Sequence, residues 1–234
     1  MRYHRLGQSG LMLPAISLGM WHNFGGQDSS VESRKMILHA FEQGITHFDL
    51  ANNYGNPPGS AESTLGKILK TDLAGRRDEI IITTKAGWDM WSGPYGNFGS
   101  RKHLRASLDQ SLKRLAVDYI DLFYHHRPDP ETPIEETIMT LVEFVKRGQV
   151  LYLGLCGYSA ENLKKAAMIC RNERVPLIAF QGSHSLLFSQ YDEITSATLE
   201  TYGIGGLAYC PLFQGVLTGK YLHEIPKDSR MQRS

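Results

Sequence analysis

Four side chains have the types and spacing to manage charge at a reacting centre: Asp49, Tyr54, Lys85 and His126. A carbonyl that accepts hydride needs a proton donor, and a tyrosine with an ordinary pKa of about 10 is a poor one unless its phenolate is stabilised. An ammonium at Lys85 would provide that stabilisation, and a carboxylate at Asp49 would hold the lysine by an ion pair. A ring nitrogen of His126 would orient the substrate oxygen as negative charge develops on it. The set predicts general acid catalysis with electrostatic support. Taken singly, Asp49 serves equally well as a structural acceptor and Lys85 as a solvated strand end, so the reading rests on the four together. His125 and His126 are consecutive, and on a strand they face opposite sides, which argues against a metal pair there.

These groups must be gathered by the elements that carry them. Short β-branched or aromatic runs at 16–19, 46–51, 79–85, 119–126, 151–156, 176–181 and 205–210 predict seven strands. Asp49, Lys85 and His126 fall near the ends of the second, third and fourth, with Tyr54 in the loop after the second. Amphipathic helical patterns lie between the runs. Thr132, Pro133, Ile134 and Glu135 read as a capping box with proline at the first helical position. Ile134, Ile138, Leu141, Val142 and Val145 follow on one face, and Gly148 is the stop. Ser100 caps a helix whose Leu104, Leu108, Leu112 and Leu115 form an inward stripe, while Arg101, Arg105 and Lys113 stay solvated. Gly44 and Gly203 close segments near 31–43 and 190–202.

Strands alternating with helices imply right-handed βαβ units and a parallel sheet. The expected fold class is α/β, a parallel (β/α)8 barrel of the TIM type, whose active sites sit at the C-terminal ends of the strands. A doubly wound sheet would show a G-x-G-x-x-G turn after an early strand, and none is present there. Residues 3–21 read as a small hairpin turning at Gln8, Ser9 and Gly10 before the first barrel strand, placed to plug the barrel's bottom.

Composition narrows the partners. The 234 residues are 41% hydrophobic and 21% charged, as in an ordinary globular chain, so a single domain over 1–234 is the expectation. With 25 basic against 24 acidic residues there is no net field to collect nucleic acid or an anionic membrane. No signal-peptide pattern opens the chain and no run of apolar residues is long enough to span a bilayer, so a cytoplasmic location is expected. Cys156, Cys170 and Cys210 are odd in number and widely spaced, which suggests neither a disulfide framework nor a zinc site.

Three motifs add a resemblance: D-x-A-x-x-Y-G (Asp49, Ala51, Tyr54, Gly55), the lysine of TTK (Lys85), and D-L-x-x-x-H-x-P (Asp121, Leu122, His126, Pro128). They resemble the tetrad of the aldo-keto reductases, and the similarity runs across essentially the whole chain. It implies that Asp49, Tyr54, Lys85 and His126 are the catalytic four, with Tyr54 the proton donor, in an NADP-dependent oxidoreductase. GMWHNFGG, THFDLANNYGNPPGSAE, TKAGWDMWSGPYGNFGSRK and LTGKYLHEIPKDSRM are similar to the branch of L-glyceraldehyde 3-phosphate and methylglyoxal reductases, near potassium-channel beta subunits.

The resemblance further implies that Gln181 bonds the nicotinamide carboxamide and that Tyr209 stacks on its ring. Pro211, Leu212, Gly215, Leu217 and Lys220 then form a loop over the pyrophosphate, where backbone amides and a cation suit phosphate. Trp21 and the aromatic loop of Trp88, Trp91, Tyr95 and Phe98 would wall a pocket for small carbonyls. Arg101 and Lys102 read as a substrate-phosphate site or as a solvated helix start. Two positions depart from the family: Cys156 and Gly157 replace a serine-led pair, and His184 to Ser189 replace a Tyr-Asn-Leu-Leu-x-Arg pattern.

After the seventh strand the family pattern would continue with a seventh helix, an eighth strand and an eighth helix, none of which is expected here. The residues for the adenosine 2′-phosphate would lie there too. The first and seventh strands would then be open edges that invite self-association into a homo-oligomer. Beside the reductase stand two other readings: a nucleotide-binding regulatory module like a channel beta subunit, and a truncated chain without activity.

Overall fold

The computed structural model describes residues 1–227 together with Ser229 and Gln232. Asp228, Arg230 and Met231 of the LTGKYLHEIPKDSRM segment, like Arg233 and Ser234, lie outside the described residues. An antiparallel hairpin of β1 (Tyr3–Arg5) and β2 (Met12–Pro14) opens the chain, turning over the expected Gln8 to Gly10. Seven strands follow: β3 (Leu18–Gly19), β4 (His47–Asp49), β5 (Ile81–Ala86), β6 (Ile120–His125), β7 (Val150–Cys156), β8 (Leu177–Ser183) and β9 (Gly205–Tyr209). They form one parallel sheet in strict chain order.

Six helices connect them: α1 (Ser30–Glu42), α2 (Ser60–Lys70), α3 (Arg101–Leu115), α4 (Ile134–Lys146), α5 (Ala160–Asn172) and α6 (Glu193–Tyr202). The sheet curls as a TIM-type barrel sheet does, with β3 and β9 at its two edges and not paired with one another. Past β9 the described residues hold only two 3-10 turns, Phe213–Gly215 and Gly219–Tyr221.

Period-two alternation sorts the strand residues onto two faces. Phe48, Ile82, Phe123, Leu153, Leu155 and Phe180 are buried against the helices, where Leu104, Leu108 and Leu115 of α3 and Ile138, Leu141 and Val142 of α4 meet them. Leu122, Tyr124, Cys156 and Ala179 fill the concave face. The hairpin supplies Leu6 and Leu13 to that same cluster, so it closes the N-terminal end as expected. Its tip is fixed by Gln8 N–H donating to the Gly203 carbonyl at 2.8 Å.

Local signals explain most helix ends. Ser29, Ser100, Ser159 and Asp192 accept from N–H groups of their first turns, each cap contributing about 1 kcal/mol. Gly44, Gly148 and Gly203 take the left-handed conformation after their helices. The capping box at Thr132 does not form. Pro133 is itself the N-cap residue and offers no side-chain acceptor, while the Thr132 N–H donates to Asp129 Oδ1 at 3.1 Å. The N–H that a capping box would give to Glu135 is thus taken by a carboxylate earlier in the loop.

Candidate active site

Asp49 ends β4, Lys85 is the penultimate residue of β5, and His126 follows β6 directly. Adjacent parallel strands in register bring these ends together, with Asp49 opposite Thr83 and Lys85 opposite Tyr124. Tyr54 reaches the group from the β4–α2 loop, which folds back through Tyr54 N–H to Ala51 carbonyl at 3.1 Å and Gly59 N–H to Tyr54 carbonyl at 3.1 Å.

Lys85 is fully buried; Nζ donates to Asp49 Oδ2 at 2.8 Å and to the Leu50 carbonyl at 2.7 Å. The same ammonium lies 5.0 Å from the Tyr54 ring centroid. Tyr54 and His126 meet edge to face with centroids 5.7 Å apart, and Trp21 stands 6.3 Å from Tyr54. All four predicted groups are therefore clustered.

Burial dominates the electrostatics. It works against the charge on Lys85, but Asp49 and Tyr54 more than offset it, so the ammonium is held well above its ordinary range. Burial also raises the Tyr54 phenol; Lys85 pulls it down and Asp49 pushes it up again. Lys85 thus favours the phenolate as expected, but desolvation is the larger effect, and Tyr54 keeps its proton at neutral pH. His126 is driven well below its usual range by burial, then by the nearby cations Lys85 and Arg127 and by repulsion from protonated His125, so its ring is neutral.

Most of the residues expected to face a nucleotide share a second region. A cavity of about 410 Å³ is lined by Trp21, Pro211, Leu212, Gly215 and Lys220, with His22, Cys210 and Gln214. Leu217 does not line it; its N–H donates to the Leu212 carbonyl at 3.1 Å and holds the loop's shape. Cys210, Phe213 and Gln214 all adopt positive φ (55°, 47° and 58°), a cost of roughly 1–3 kcal/mol each of the kind stored at ligand-holding loops. Tyr209 ends β9 with 43% of its surface exposed, as a stacking face would need. Gln181 is partly engaged: Nε2 donates to Asp49 Oδ2 at 3.2 Å, and Oε1 lies 3.7 Å from Cys156 Sγ.

The aromatic loop divides. Trp88 stands edge-on to His126 with centroids 6.2 Å apart, but Trp91 packs on His103, Tyr95 lies under Lys102, and Phe98 lies against Arg127. Arg101 is bound to Glu143 at 2.5 Å across the α3–α4 interface, an exposed pairing in keeping with a solvated helix start. As expected, His125 faces away from His126, onto Tyr158 at 2.5 Å.

Beneath the tetrad lies a layer that motif reading missed. His47 is fully buried between Ser17 Oγ at 2.7 Å and Thr83 Oγ1 at 2.6 Å, and burial lowers its pKa to about 4. Tyr124 is buried with its ring 5.9 Å from Lys85 Nζ, in room left by the missing Cβ of Gly154. The signal was available: His47, Thr83 and Tyr124 each precede a tetrad member by two residues, which places them on the same strand face.

Comparison with known proteins agrees with this geometry. Residues 15–234 match the Aldo/keto reductase family. The chain belongs to that family. Its relatives include L-glyceraldehyde 3-phosphate reductase of Escherichia coli (strain K12), 53% identical over all of this chain and 68% of the relative. A probable voltage-gated potassium channel subunit beta of Oryza sativa subsp. japonica is 38% identical, over 98% of this chain and 70% of its own length. The corresponding Arabidopsis thaliana protein is 37% identical over the same shares. As an aldo/keto reductase the chain is an oxidoreductase, and its curled parallel sheet is the fold such a protein uses.

Proposed function

We propose that this aldo/keto reductase reduces small aldehydes or ketones with NADPH, using Tyr54 as proton donor. The observation that carries the reading is the buried Lys85–Asp49 pair, 2.8 Å long, set beneath the Tyr54 ring with His126 at its edge. Tyr54 donates its proton to the carbonyl oxygen, and the Lys85 ammonium offsets the phenolate left behind. Asp49 and the Leu50 carbonyl hold Lys85 so that its charge needs no rearrangement as the reaction proceeds. Neutral His126, edge to face with Tyr54, offers a ring nitrogen to the oxygen that gains charge. Trp21 flanks Tyr54 and Trp88 flanks His126.

The nicotinamide nucleotide, when bound, supplies the hydride. The residues present fit it: Trp21, Pro211, Leu212, Gly215 and Lys220 around one cavity, Leu217 supporting their loop, Tyr209 as the stacking face, and Gln181 with a second amide hydrogen for a carboxamide. The choice of NADPH over NADH follows the resemblance to the family. The E. coli relative suggests L-glyceraldehyde 3-phosphate or a similar three-carbon aldehyde, such as methylglyoxal, as substrate.

Titration of NADPH by fluorescence, followed by absorbance-monitored turnover with methylglyoxal, tests this. Micromolar binding with turnover is expected, and a folded chain that binds nothing would overturn the reading. A second reading, a regulatory module that binds nucleotide and turns over slowly, draws support from the channel-beta relatives at 38% and 37% identity. Tight binding without turnover would favour it.

A further inference from the structure

Arg127, the residue after His126, inserts its guanidinium between two rings, 3.9 Å from the Trp88 centroid and 4.1 Å from that of Phe98. From there Nε donates to the Gly87 carbonyl at 2.9 Å and an Nη donates to Asn97 Oδ1 at 2.5 Å. One flat cation thereby joins both ends of the 87–98 loop. The backbone closes the same neck: Phe98 N–H donates to the Gly87 carbonyl at 3.1 Å, and His126 N–H donates to the Ala86 carbonyl at 2.8 Å. Phe98 sits at φ 64°, a conformation that a phenylalanine adopts only when its surroundings impose it. Farther out, His103 of α3 anchors the loop through Nδ1 to the Tyr95 carbonyl at 3.0 Å. Together these hold Trp88 at 87° to the His126 ring.

We propose that Arg127 is a positioning residue for substrate selection: by stapling the neck of the 87–98 loop it fixes Trp88 as a wall beside His126 and limits the bulk of the carbonyl substituent that reaches Tyr54. The selective part rests on the reductase reading given above. A guanidinium can stack on two aromatic faces and fork two hydrogen bonds in its plane at once; a lysine ammonium has the charge without the flat faces or the fork. Conservation of charge is therefore not enough to keep the wall.

The test compares the native chain with Arg127→Lys and Arg127→Met, measuring amide hydrogen exchange and kcat/KM for methylglyoxal and for the bulkier 4-nitrobenzaldehyde. Both variants are expected to exchange amides of 88–98 faster by about tenfold, with β5 and β6 unchanged. The preference ratio for the aromatic aldehyde should rise by about tenfold in each. Native exchange rates in both variants would overturn the staple, and a loosened loop with an unchanged ratio would overturn its role in selection. Should the native chain turn over neither aldehyde, the reductase reading fails and takes the selective part with it, while the exchange rates still decide the staple. If Arg127→Met does not fold, Phe98→Leu removes one stacking face and should loosen the same amides.

Discussion

In the mechanism proposed above the Tyr54 hydroxyl is the proton donor, and burial keeps it protonated with the Lys85 ammonium 5.0 Å from its ring. Tyr54→Phe should lower turnover by roughly 10²–10⁴-fold while NADPH binding, read by fluorescence, stays within about twofold. The pH dependence follows from the two shifts. Tyr54 is raised and His126 lowered, so the donor keeps its proton and the histidine its neutrality throughout the interval between their ordinary values. Turnover should therefore be flat from about pH 6.5 to about pH 10, and a limb with a midpoint inside that interval would contradict the assignment.

Between elements, a few buried polar groups do what apolar packing cannot. Glu62 of α2 is fully buried; its two oxygens accept from Arg114 Nε of α3 at 2.7 Å and Thr84 Oγ1 of β5 at 2.5 Å. Glu62→Ala leaves the guanidinium without its carboxylate, with only Gln110 and Ser111 at 3.4 Å, and should cost about 2–4 kcal/mol, measurable by urea unfolding. His47 and His125 bear on acid stability, since burial holds both at about 4, below the ordinary 6.5. The unfolded chain takes up those protons first, so stability should fall as pH drops from 6.5 toward 4, by a few kcal/mol in all. Urea midpoints at the two ends of that window check this, and His47→Gln should shrink the difference if His47 contributes.

On the scale of the molecule, the sheet has two free edges among the described residues. β3 and β9 each have a neighbour on one side only, and Trp21, Tyr209, Leu212 and Val216 are exposed near them. Unpaired backbone beside apolar surface favours edge pairing between copies. Sedimentation velocity of the 234-residue chain should show mass rising with concentration. Ala208→Lys, which places a charge on the exposed β9, should suppress it.

The sequence by itself determined the order of strands and helices, the faces they bury, and the four side chains that meet at the strand ends. Those follow from period-two and helical spacing, serine and aspartate caps, stop glycines and three short motifs, all local properties of the chain. Thr132 shows where local reading ends, since the N-cap falls on Pro133 instead and an earlier aspartate accepts the Thr132 N–H. Tertiary structure alone decided that burial outweighs Lys85 at Tyr54, because desolvation depends on everything packed around the phenol. It also decided that Arg101 spans two helices, whereas Arg127 lies between two rings at the rim of the site. A cation's partners are fixed by which surfaces the fold brings within reach of it, and no spacing along the chain encodes that.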